Sequence, residues 1–344
     1  MIKEDTKNEF LPYLDFVKAF LMLLVVLYHC IALWRRGGWF NQPPREESLL
    51  LQAGAEWLNS FHIYCFTFVS GYIFCFQKCE NRLPVNFFPF FVKKAKRLLL
   101  PYAIVSVCWA APIYKCLYRC SWMDLCRNFL LAKNPSNLWF LLMLFWLFCF
   151  FYFIRMKYIE NAYISLPILV ILYYLSTVGL KVIPNYFQIL MALRYAVFFW
   201  LGMYFYLKGL GFINKLSSFS LLIIDIVVFG IWAGVSFYRN FVFLELSTNV
   251  VGAVAAFVIF IRLARRLQPI LEKFRLSSFL IKNNFYVYLL HQQIIFFVIT
   301  FLNSRVPSLV LVLCNFVCSM VVSLGIIFLF QRLHALLRIG AKRK

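Results

Sequence analysis

Runs of about 20 apolar residues recur along the whole chain and constrain its fold more than any other sequence feature. A helix needs roughly 20 mostly apolar residues to cross the hydrocarbon core of a bilayer. The mean hydropathy of +0.80 and the charged fraction of only 14% favour the same interpretation. The sequence therefore predicts an all-α polytopic membrane protein, a bundle of about ten transmembrane helices. The ten predicted segments lie near 12–34, 57–77, 98–116, 138–154, 162–180, 190–207, 219–238, 247–263, 281–302 and 308–331.

The basic residues predict how the bundle is oriented. The chain has 35 Lys and Arg against 13 Asp and Glu, a net charge of +22. With both termini inside, 23 basic residues fall in inner segments and 10 in outer ones. Cytoplasmic segments carry the excess of Lys and Arg, so both termini are predicted to be cytoplasmic. No nucleic-acid-binding motif accompanies the charge, and we expect no nucleic-acid partner.

The organisation between the spans is simple. There is no internal repeat, and the longest connections are near 35–56, 78–97 and 117–137. We therefore expect a single transmembrane domain over residues 1–344 without an appended soluble domain. The first apolar run has no small-residue cleavage site after it, which predicts a retained helix and not a signal peptide.

Three cysteines cluster near a polar loop, at Cys116, Cys120 and Cys126. A disulfide among them is one alternative and three free thiols the other. A zinc site is disfavoured because no histidine lies nearby in the sequence.

The first span, DFVKAFLMLLVVLYHC, holds three ionisable side chains. Lys18 and His29 are eleven residues apart, so they differ by only about 20° around a helix and by roughly 16 Å along it. Asp15 lies on nearly the same face. Because a lipid-facing charge is costly, this face is predicted to line a polar cavity inside the bundle. The alternative is that Asp15 and Lys18 reach the cytoplasmic interface and His29 bonds a neighbouring helix.

Three of the four histidines are predicted between the bilayer midplane and the outer interface: His29, His62 and His291. The fourth, His334, lies in the basic carboxyl-terminal tail. Imidazole is suited to proton transfer near neutral pH. Three histidines also match the number in some zinc or copper sites, but no carboxylate or close histidine pair supports a metal in the sequence, and we expect none.

Five motifs, in order over nearly the full length, resemble the membrane-bound acyltransferase 3 family. The mark of that family is a basic residue, ten others, then His, as in Lys18 and His29. This chain has Lys18 where many members have Arg. A lysine cannot make the forked pairing of an arginine with a phosphate, but it keeps the positive charge. The motifs are PYLDFVKAFLMLLVVLYH, FHIYCFTFVSGYIF with its Ser-Gly, KKAKRLLLPY ending in Pro-Tyr, NLWFLLMLF with its Leu-Trp-Phe, and NNFYVYLLHQ with its Tyr-x-x-His.

The resemblance implies an enzyme that transfers an acyl group, usually acetyl, from cytoplasmic acyl-CoA to a hydroxyl of a surface polysaccharide, glycolipid or lipid-linked sugar. It also implies the bacterial inner membrane. Some members carry an appended extracytoplasmic esterase-like domain, which is not expected here.

The donor has several candidate contacts at the predicted cytoplasmic side. Lys93, Lys94, Lys96 and Arg97 could attract the phosphates of acyl-CoA, and Lys18 could hold a phosphate or the entry of the pantetheine arm. The alternative for the cluster is orientation of the chain and contact with anionic lipid. The arm is on the order of 20 Å long, comparable to the roughly 16 Å rise from Lys18 to His29.

The catalytic hypothesis assigns His29 as general base on the acceptor hydroxyl, or as the group that first accepts the acyl group. His62 and His291 would orient the acceptor or stabilise the oxyanion. Ser70 is a weaker nucleophile candidate, because Ser-Gly in a span more often allows close helix packing.

The outer ends of other spans supply substrate-binding candidates. Arg194 and Glu245 are expected to pair with each other or with a glycan, an interfacial role being the alternative. Trp139 is either an interfacial anchor or a platform for a sugar ring. Asp225 is a buried carboxylate without a named partner.

A function from another class remains in view, a transporter or exporter of a glycan or lipid-linked sugar with an intramembrane proton relay. Transporters commonly contain paired halves, and no repeat occurs here. A non-catalytic scaffold leaves the placement of His and Lys without a purpose.

Overall fold

The computed structural model describes residues 11–238 and 241–341, and over these ranges the chain forms helices and connecting turns without a strand. Short π-helical and 3₁₀ turns extend several of the helices. The helices are α1 (Leu11–Ile31), α2 (Leu49–Cys79), α3 (Phe87–Val105), α4 (Ala111–Tyr118), α5 (Trp122–Leu125), α6 (Trp139–Phe153), α7 (Met156–Glu160), α8 (Ala162–Val182), α9 (Ile189–Lys208), α10 (Leu210–Lys215), α11 (Ser218–Val235), α12 (Val242–Leu271), α13 (Arg275–Leu302) and α14 (Ser308–Ala341).

Nine helical stretches in the described ranges are long and apolar enough to cross a membrane. The tenth predicted segment, 57–77, lies inside α2, which has 31 residues and a length of about 46 Å. That helix is long enough to span, but Asn59, Ser60 and His62 interrupt its run of apolar residues. The chain is an all-α polytopic membrane protein, as predicted. The cytoplasmic location of the termini stays a prediction.

Two predicted connections are shorter in the structure. Residues 49–56 already belong to α2, and residues 87–97 belong to α3, so the basic cluster Lys93–Arg97 lies on a helix and not in a loop. The cause is amphipathicity, which a search for fully apolar runs misses. Phe90, Lys94, Leu98 and Tyr102, spaced four residues apart, form the buried face of α3.

Helix α2 lies at the centre of the bundle, packed against α1, α9 and α12. Helix α1 in turn packs against α12, α13 and α14. Helix α11 is peripheral, with only 6% of its apolar window buried, against 67% for the first span. Most of the first span therefore faces protein, while α11 presents most of its surface to lipid. We call the end of the bundle where α1 ends and α2 begins the outer end, after the prediction from the basic residues.

Two glycines set the contact between α2 and α9. A Cβ added at Gly71 would lie 2.0 Å from the carbonyl oxygen of Phe199, and one at Gly202 would lie 1.9 Å from that of Phe68. Small residues of this kind let helix backbones approach closely in membranes. The neighbouring Ser70 donates its hydroxyl to Phe66 O within α2, at 2.9 Å. The Ser-Gly pair therefore serves packing, and the contacts of Ser70 give no support to a nucleophilic role.

Asp225 has a partner that the sequence did not identify. The indole Nε1 of Trp57 donates to its Oδ2 at 2.9 Å, joining α11 to α2. The side chain of Asp225 is 3% exposed, although α11 is otherwise peripheral. This hydrogen bond attaches α11, a helix that mostly faces lipid, to the bundle through its buried carboxylate.

The cysteine alternatives are also decided in the structure. None of the eleven cysteines, all of which lie in the described ranges, forms a disulfide, and this includes Cys116, Cys120 and Cys126. The backbone of His334 belongs to α14, and its side chain lies outside the described part.

Candidate active site

A cavity of about 450 Å³ opens at the outer end of the bundle, between α1, α2, α4, α6, α9 and α13. Four of the residues that the sequence singled out line it: His29, His62, Trp139 and Arg194. The other lining residues include Phe140 of the Leu-Trp-Phe motif and Tyr288 of the Tyr-x-x-His motif. The rest are Val25, Tyr28, Arg35, Gly38, Trp39, Asn59, Ile63, Tyr64, Tyr114, Tyr118, Asn134, Ser136, Asn137, Met191, Tyr195, Gln292 and Phe296.

His29 and His291 form a hydrogen-bonded pair across α1 and α13. The Nε2 atom of His291 lies 3.0 Å from Nδ1 of His29. Nδ1 of His291 contacts two carbonyl oxygens, Val287 O at 3.1 Å and Tyr288 O at 2.8 Å. Carbonyl oxygens only accept, so Nδ1 of His291 carries the hydrogen and its Nε2 accepts from His29.

The same reasoning fixes the tautomer of His29. Its Nδ1 faces Val25 O at 2.9 Å and Nε2 of His291, both acceptors, so Nδ1 carries the hydrogen. The Nε2 lone pair of the neutral ring is then unused, with no hydrogen-bond partner in the described part of the chain. The half-buried ring of His29 lines the cavity. The arrangement presents a basic nitrogen to any molecule bound there.

His62 is oriented in a similar way. Its Nδ1 donates to Leu58 O, four residues earlier in α2, at 2.5 Å. The neutral ring therefore carries its lone pair on Nε2 and has no hydrogen there to donate. It suits the orientation of an acceptor hydroxyl better than the stabilisation of an oxyanion. Tyr28 packs on the ring, with ring centroids 4.8 Å apart.

His291 lies behind His29 and is fully buried. It is not among the residues that line the cavity. A direct contact with the acceptor or the oxyanion, which the sequence analysis expected, therefore has no support in the geometry. What the position allows is control of the orientation and tautomer of His29.

The connection between α1 and α2, residues 35–48, forms an aromatic strap along the cavity. Trp39, in the connection between α1 and α2, packs on His29 and on Phe296, with ring centroids 5.4 and 5.1 Å apart. The strap is tied down where Asn303 donates to Pro43 O at 2.8 Å. Gly38, with a φ of +73°, precedes Trp39 and adopts a left-handed conformation that favours glycine. The strap thus positions an indole ring against the ring of His29.

The wall opposite the strap is also aromatic. Tyr64 and Tyr195 stack with centroids 4.8 Å apart and an interplanar angle of 7°. Trp139 packs against Tyr195 at 5.5 Å and is half-buried. Its position in the cavity wall favours the platform interpretation over that of an interfacial anchor. Flat aromatic faces beside hydroxyl and amide groups suit a ligand with both apolar and polar faces.

A polar network joins α13 to the start of α6. Ser136 donates to Oε1 of Gln292 at 2.9 Å, and Asn137 donates to Tyr288 O at 2.7 Å. The hydroxyl of Tyr288 donates back to Asn137 O. Because His291 and Gln292 are consecutive, one turn of α13 holds both His29 and the loop before α6. The two sides of the cavity are therefore fixed relative to each other.

Arg194 and Glu245 pair as the sequence suggested. Nη2 of Arg194 lies 2.5 Å from Oε1 of Glu245, joining α9 to α12. The same nitrogen contacts the hydroxyl of Tyr173 at 3.3 Å. Arg194 lines the cavity, whereas Glu245 does not. The carboxylate thus compensates the charge of Arg194 from behind.

Replacing Glu245 by glutamine is expected to destabilise the protein by about 1–3 kcal/mol. The change removes the counter-ion of a largely buried guanidinium, and Glu245 itself is 32% exposed, which moderates the loss. Thermal unfolding in detergent measures the effect. The double variant Arg194→Gln, Glu245→Gln should recover part of the stability. Additive losses in the double variant would mean that the two side chains are not coupled.

Clusters of three or more His, Cys, Asp or Glu side chains suited to a metal do not occur among the residues that the structure describes. The His29–His291 contact is accounted for as a hydrogen bond by its length and by the two carbonyls behind it.

A comparison with protein families decides the class of the enzyme. Residues 11–332, nearly the entire chain, match the model of the Acyl_transf_3 family, described as an acyltransferase domain. The chain belongs to the acyltransferase 3 family. No curated protein and no solved structure matches the chain significantly. Membership supports a multi-pass membrane acyltransferase that works with an acyl donor, an acceptor and the lipid bilayer.

The face of the first span that was predicted to line a polar cavity does so in this acyltransferase only near His29. Lys18 pairs with Asp15 at 2.5 Å and is 24% exposed. Met22 and Val25 lie between Lys18 and His29 on the same face of α1, and both are buried. Val25 lines the cavity but Lys18 does not. Packed side chains thus fill the face between Lys18 and His29.

The basic cluster of the acyltransferase is divided by α3. Lys93, Lys96 and Arg97 are exposed, whereas Lys94 is 6% exposed and points into the bundle. The Nζ of Lys94 lies 3.6 Å from the ring centroid of Phe148, a cation–π contact. The three exposed cations remain candidates for phosphates, while the contacts of Lys94 are those of a buried packing residue.

The residues that the sequence missed lie next to the residues it found. Gln292 directly follows His291, and Asn137 directly precedes the Leu-Trp-Phe motif. Asn59 lies about one helical turn before His62. Their proximity to a motif in the sequence could have identified these three residues as candidates for the site. Arg35 and Trp39 lie in a connection, where neither helical spacing nor a motif gives a signal.

Proposed function

We propose that this acyltransferase moves an acetyl group from cytoplasmic acetyl-CoA to a hydroxyl of a surface polysaccharide, glycolipid or lipid-linked sugar at the bacterial inner membrane. The observation that carries the proposal is the His29–His291 pair, which leaves Nε2 of His29 basic at the wall of a cavity in an acyltransferase fold. An acceptor hydroxyl within hydrogen-bond distance of that nitrogen can be deprotonated as it attacks a thioester.

The reaction at His29 balances without a further reactant. Nε2 takes the proton of the acceptor hydroxyl as its oxygen bonds to the thioester carbon. The tetrahedral intermediate then collapses, the carbon–sulfur bond breaks, and the proton passes to the leaving sulfur to give free CoA. In the alternative sequence Nε2 attacks the thioester carbon, and the carbon–sulfur bond breaks to release CoA as the thiolate. The acceptor hydroxyl then attacks the acyl carbon, the bond from that carbon to Nε2 breaks, and the hydroxyl proton passes to the thiolate. Both sequences need the neutral Nδ1–H tautomer that Val25 and His291 favour.

The cavity walls are assigned to the acceptor. Trp139, Tyr195 and Tyr64 offer aromatic surface to a sugar ring, and His62 accepts from a hydroxyl next to the one that reacts. The amide of Asn59 lies on the same side of α2 as His62 and supplies a donor. Arg194, held by Glu245, contributes a guanidinium at the edge of this surface.

The donor is assigned to the opposite end of the bundle. Lys93, Lys96 and Arg97 are proposed to attract the phosphates of acyl-CoA, and Lys18 to meet the pantetheine arm. Because Met22 fills the face between Lys18 and His29, entry of the thioester requires this part of α1 and its neighbours to move apart. The closed packing also separates the cytoplasm from the outer cavity when no donor is bound.

Membranes from cells that produce the protein, supplied with acetyl-CoA labelled in the acetyl group, test the proposal. We expect label in a glycan or glycolipid fraction, released by mild base as acetate. Membranes with the His29→Gln variant at equal protein level are the control. Absence of protein-dependent transfer would overturn the proposal and would favour the transporter alternative, which has no reason to consume acetyl-CoA.

A positioning role for His291 predicts a difference between two variants. His291→Phe removes one of the two acceptors for Nδ1–H of His29, leaving only Val25 O, and should lower kcat about 10- to 100-fold through the loss of a buried hydrogen bond. His291→Gln keeps an acceptor oxygen near the position of Nε2 and should recover a large part of that loss. The KM for the acceptor should change little in either, because His291 does not line the cavity. Equal activity of the two variants would contradict the role.

A further inference from the structure

Two neighbouring arginines of the strap differ in their partners. Arg36 forms a two-point salt bridge with Glu56, with Nε 2.7 Å from Oε1 and Nη2 2.8 Å from Oε2. Glu56 is 7% exposed, so this pair is a fixed part of the fold. Arg35 has no ion-pair partner among the residues that the structure describes. The charge of Arg36 is thus neutralised, and that of Arg35 is not.

The unpaired guanidinium of Arg35 lies where two cavities meet. It lines the cavity of His29, and it also lines an adjoining cavity of about 510 Å³ under the strap. Gly38 is shared by the same two cavities. Glu47 lines the second cavity and makes no ion pair with Arg35. A molecule larger than one sugar ring could therefore occupy both cavities and pass Arg35.

The cavity of His29 is electrostatically one-sided. No Asp or Glu side chain of the described chain lines it, whereas Arg35 and Arg194 do. The carboxylate that compensates Arg194 lies behind the wall. Arg35 forms a hydrogen bond with the side chain of Tyr28, but no carboxylate of the described chain pairs with it. A cleft with one sign of charge and low-dielectric walls raises the local concentration of the opposite charge. Membrane orientation does not explain Arg35, because the topology rule places the excess of basic residues on the other side.

We propose that the acceptor is an anionic glycan, whose carboxylate or phosphate binds Arg35 while a hydroxyl of the same molecule reaches His29. The guanidinium presents a planar set of donors that matches either anion in a forked geometry. The inference rests on the proposed acyl transfer and adds the chemical class of the acceptor. It also predicts that the glycan extends from the cavity of His29 into the second cavity.

The charge of the acetylated glycan that native membranes produce tests this proposal directly. Native membranes are incubated with acetyl-CoA labelled in the acetyl group, and the labelled glycan is passed over an anion-exchange resin. We expect retention and elution by salt, and mass spectrometry of the retained fraction distinguishes a sugar carboxylate from a phosphate. A labelled product that flows through as a neutral glycan would overturn the proposal. No labelled product at all would instead refute the proposed acyl transfer.

Variants of Arg35 test whether this residue binds the anionic group of the acceptor. Arg35→Gln should lower transfer at limiting acceptor about 10- to 100-fold, as expected for a lost hydrogen-bonded charge contact, with an unchanged KM for acetyl-CoA. Arg35→Lys should recover part of the loss. Arg45→Gln is the matched control, since Arg45 lies in the same connection, is 48% exposed and lines neither cavity. A raised KM for acetyl-CoA in Arg35→Gln would place the donor at Arg35 and overturn the proposal.

Discussion

Membranes containing the His29→Gln variant are expected to transfer acyl groups about 100- to 10,000-fold more slowly than membranes with the wild-type protein. Glutamine is close to histidine in reach and polarity, but its amide cannot take a proton from an acceptor hydroxyl. The initial rate of acyl transfer from labelled acetyl-CoA, at saturating donor and equal protein level, measures the loss. Thermal stability should change little, because the half-buried ring of His29 borders a cavity and leaves room for the amide.

The matched control for this variant is the same substitution at the remaining histidine, His334→Gln. It lies near the end of α14, far along the sequence from the cavity residues, and should leave the rate unchanged. Wild-type activity in His29→Gln would remove His29 from the chemistry, whatever its position beside His291. A loss in both variants would point to a general effect on the protein and not to proton transfer.

Substitution of Gly202 by alanine is expected to destabilise the bundle by about 3 kcal/mol or more. The added methyl group would lie 1.9 Å from Phe68 O and 2.8 Å from the carbonyl carbon. Both are backbone atoms, which cannot rotate away as a side chain can, so α2 and α9 must separate. Because α2 supplies His62 and α9 supplies Arg194, separation should also widen the cavity. Thermal unfolding in detergent and the yield of monodisperse protein measure the effect.

Gly230→Ala and Gly234→Ala are the controls for that measurement. Both glycines lie in α11, and a Cβ at either would meet no atom within 4 Å among the described residues. Alanine has the higher helix propensity, so these variants should be neutral or slightly stabilised. Unchanged stability of Gly202→Ala would mean that α2 and α9 are not in close backbone contact.

The transmembrane architecture could be predicted from the sequence because apolar length is a direct physical requirement of the bilayer. The prediction failed at helix ends where that requirement does not apply. Residues 87–97 form part of α3 although they are rich in lysine, since only the face of Phe90, Lys94 and Leu98 is buried. Residues 49–56 extend α2 in the same way, with Leu49 and Leu50 largely exposed. Amphipathic extensions are invisible to a search for continuous apolar runs.

The candidate site could be predicted only in part. Helical spacing identified the face of α1 with His29, and the positions of His62 and His291 along their spans indicated a common depth. The pairing of His29 with His291 depends on how α1 packs against α13, which no local pattern encodes. The filled face at Met22 was also beyond the sequence, because spacing predicts a direction and not the presence of open space. Arg35 and Trp39 became visible only when the strap was placed over the cavity.

The most direct test of the account is the position of the donor in a cryo-electron microscopy structure of the protein with a non-hydrolysable acetyl-CoA analogue, in which a methylene group replaces the thioester sulfur. The account predicts that its carbonyl carbon lies beside His29, leaving about 3–3.5 Å for a reacting oxygen between them. It also predicts that the packing around Met22 has opened and that the phosphates lie near the exposed cations of α3. A carbonyl held on the α3 side of Met22, with the cavity of His29 closed to it, would contradict the central claim.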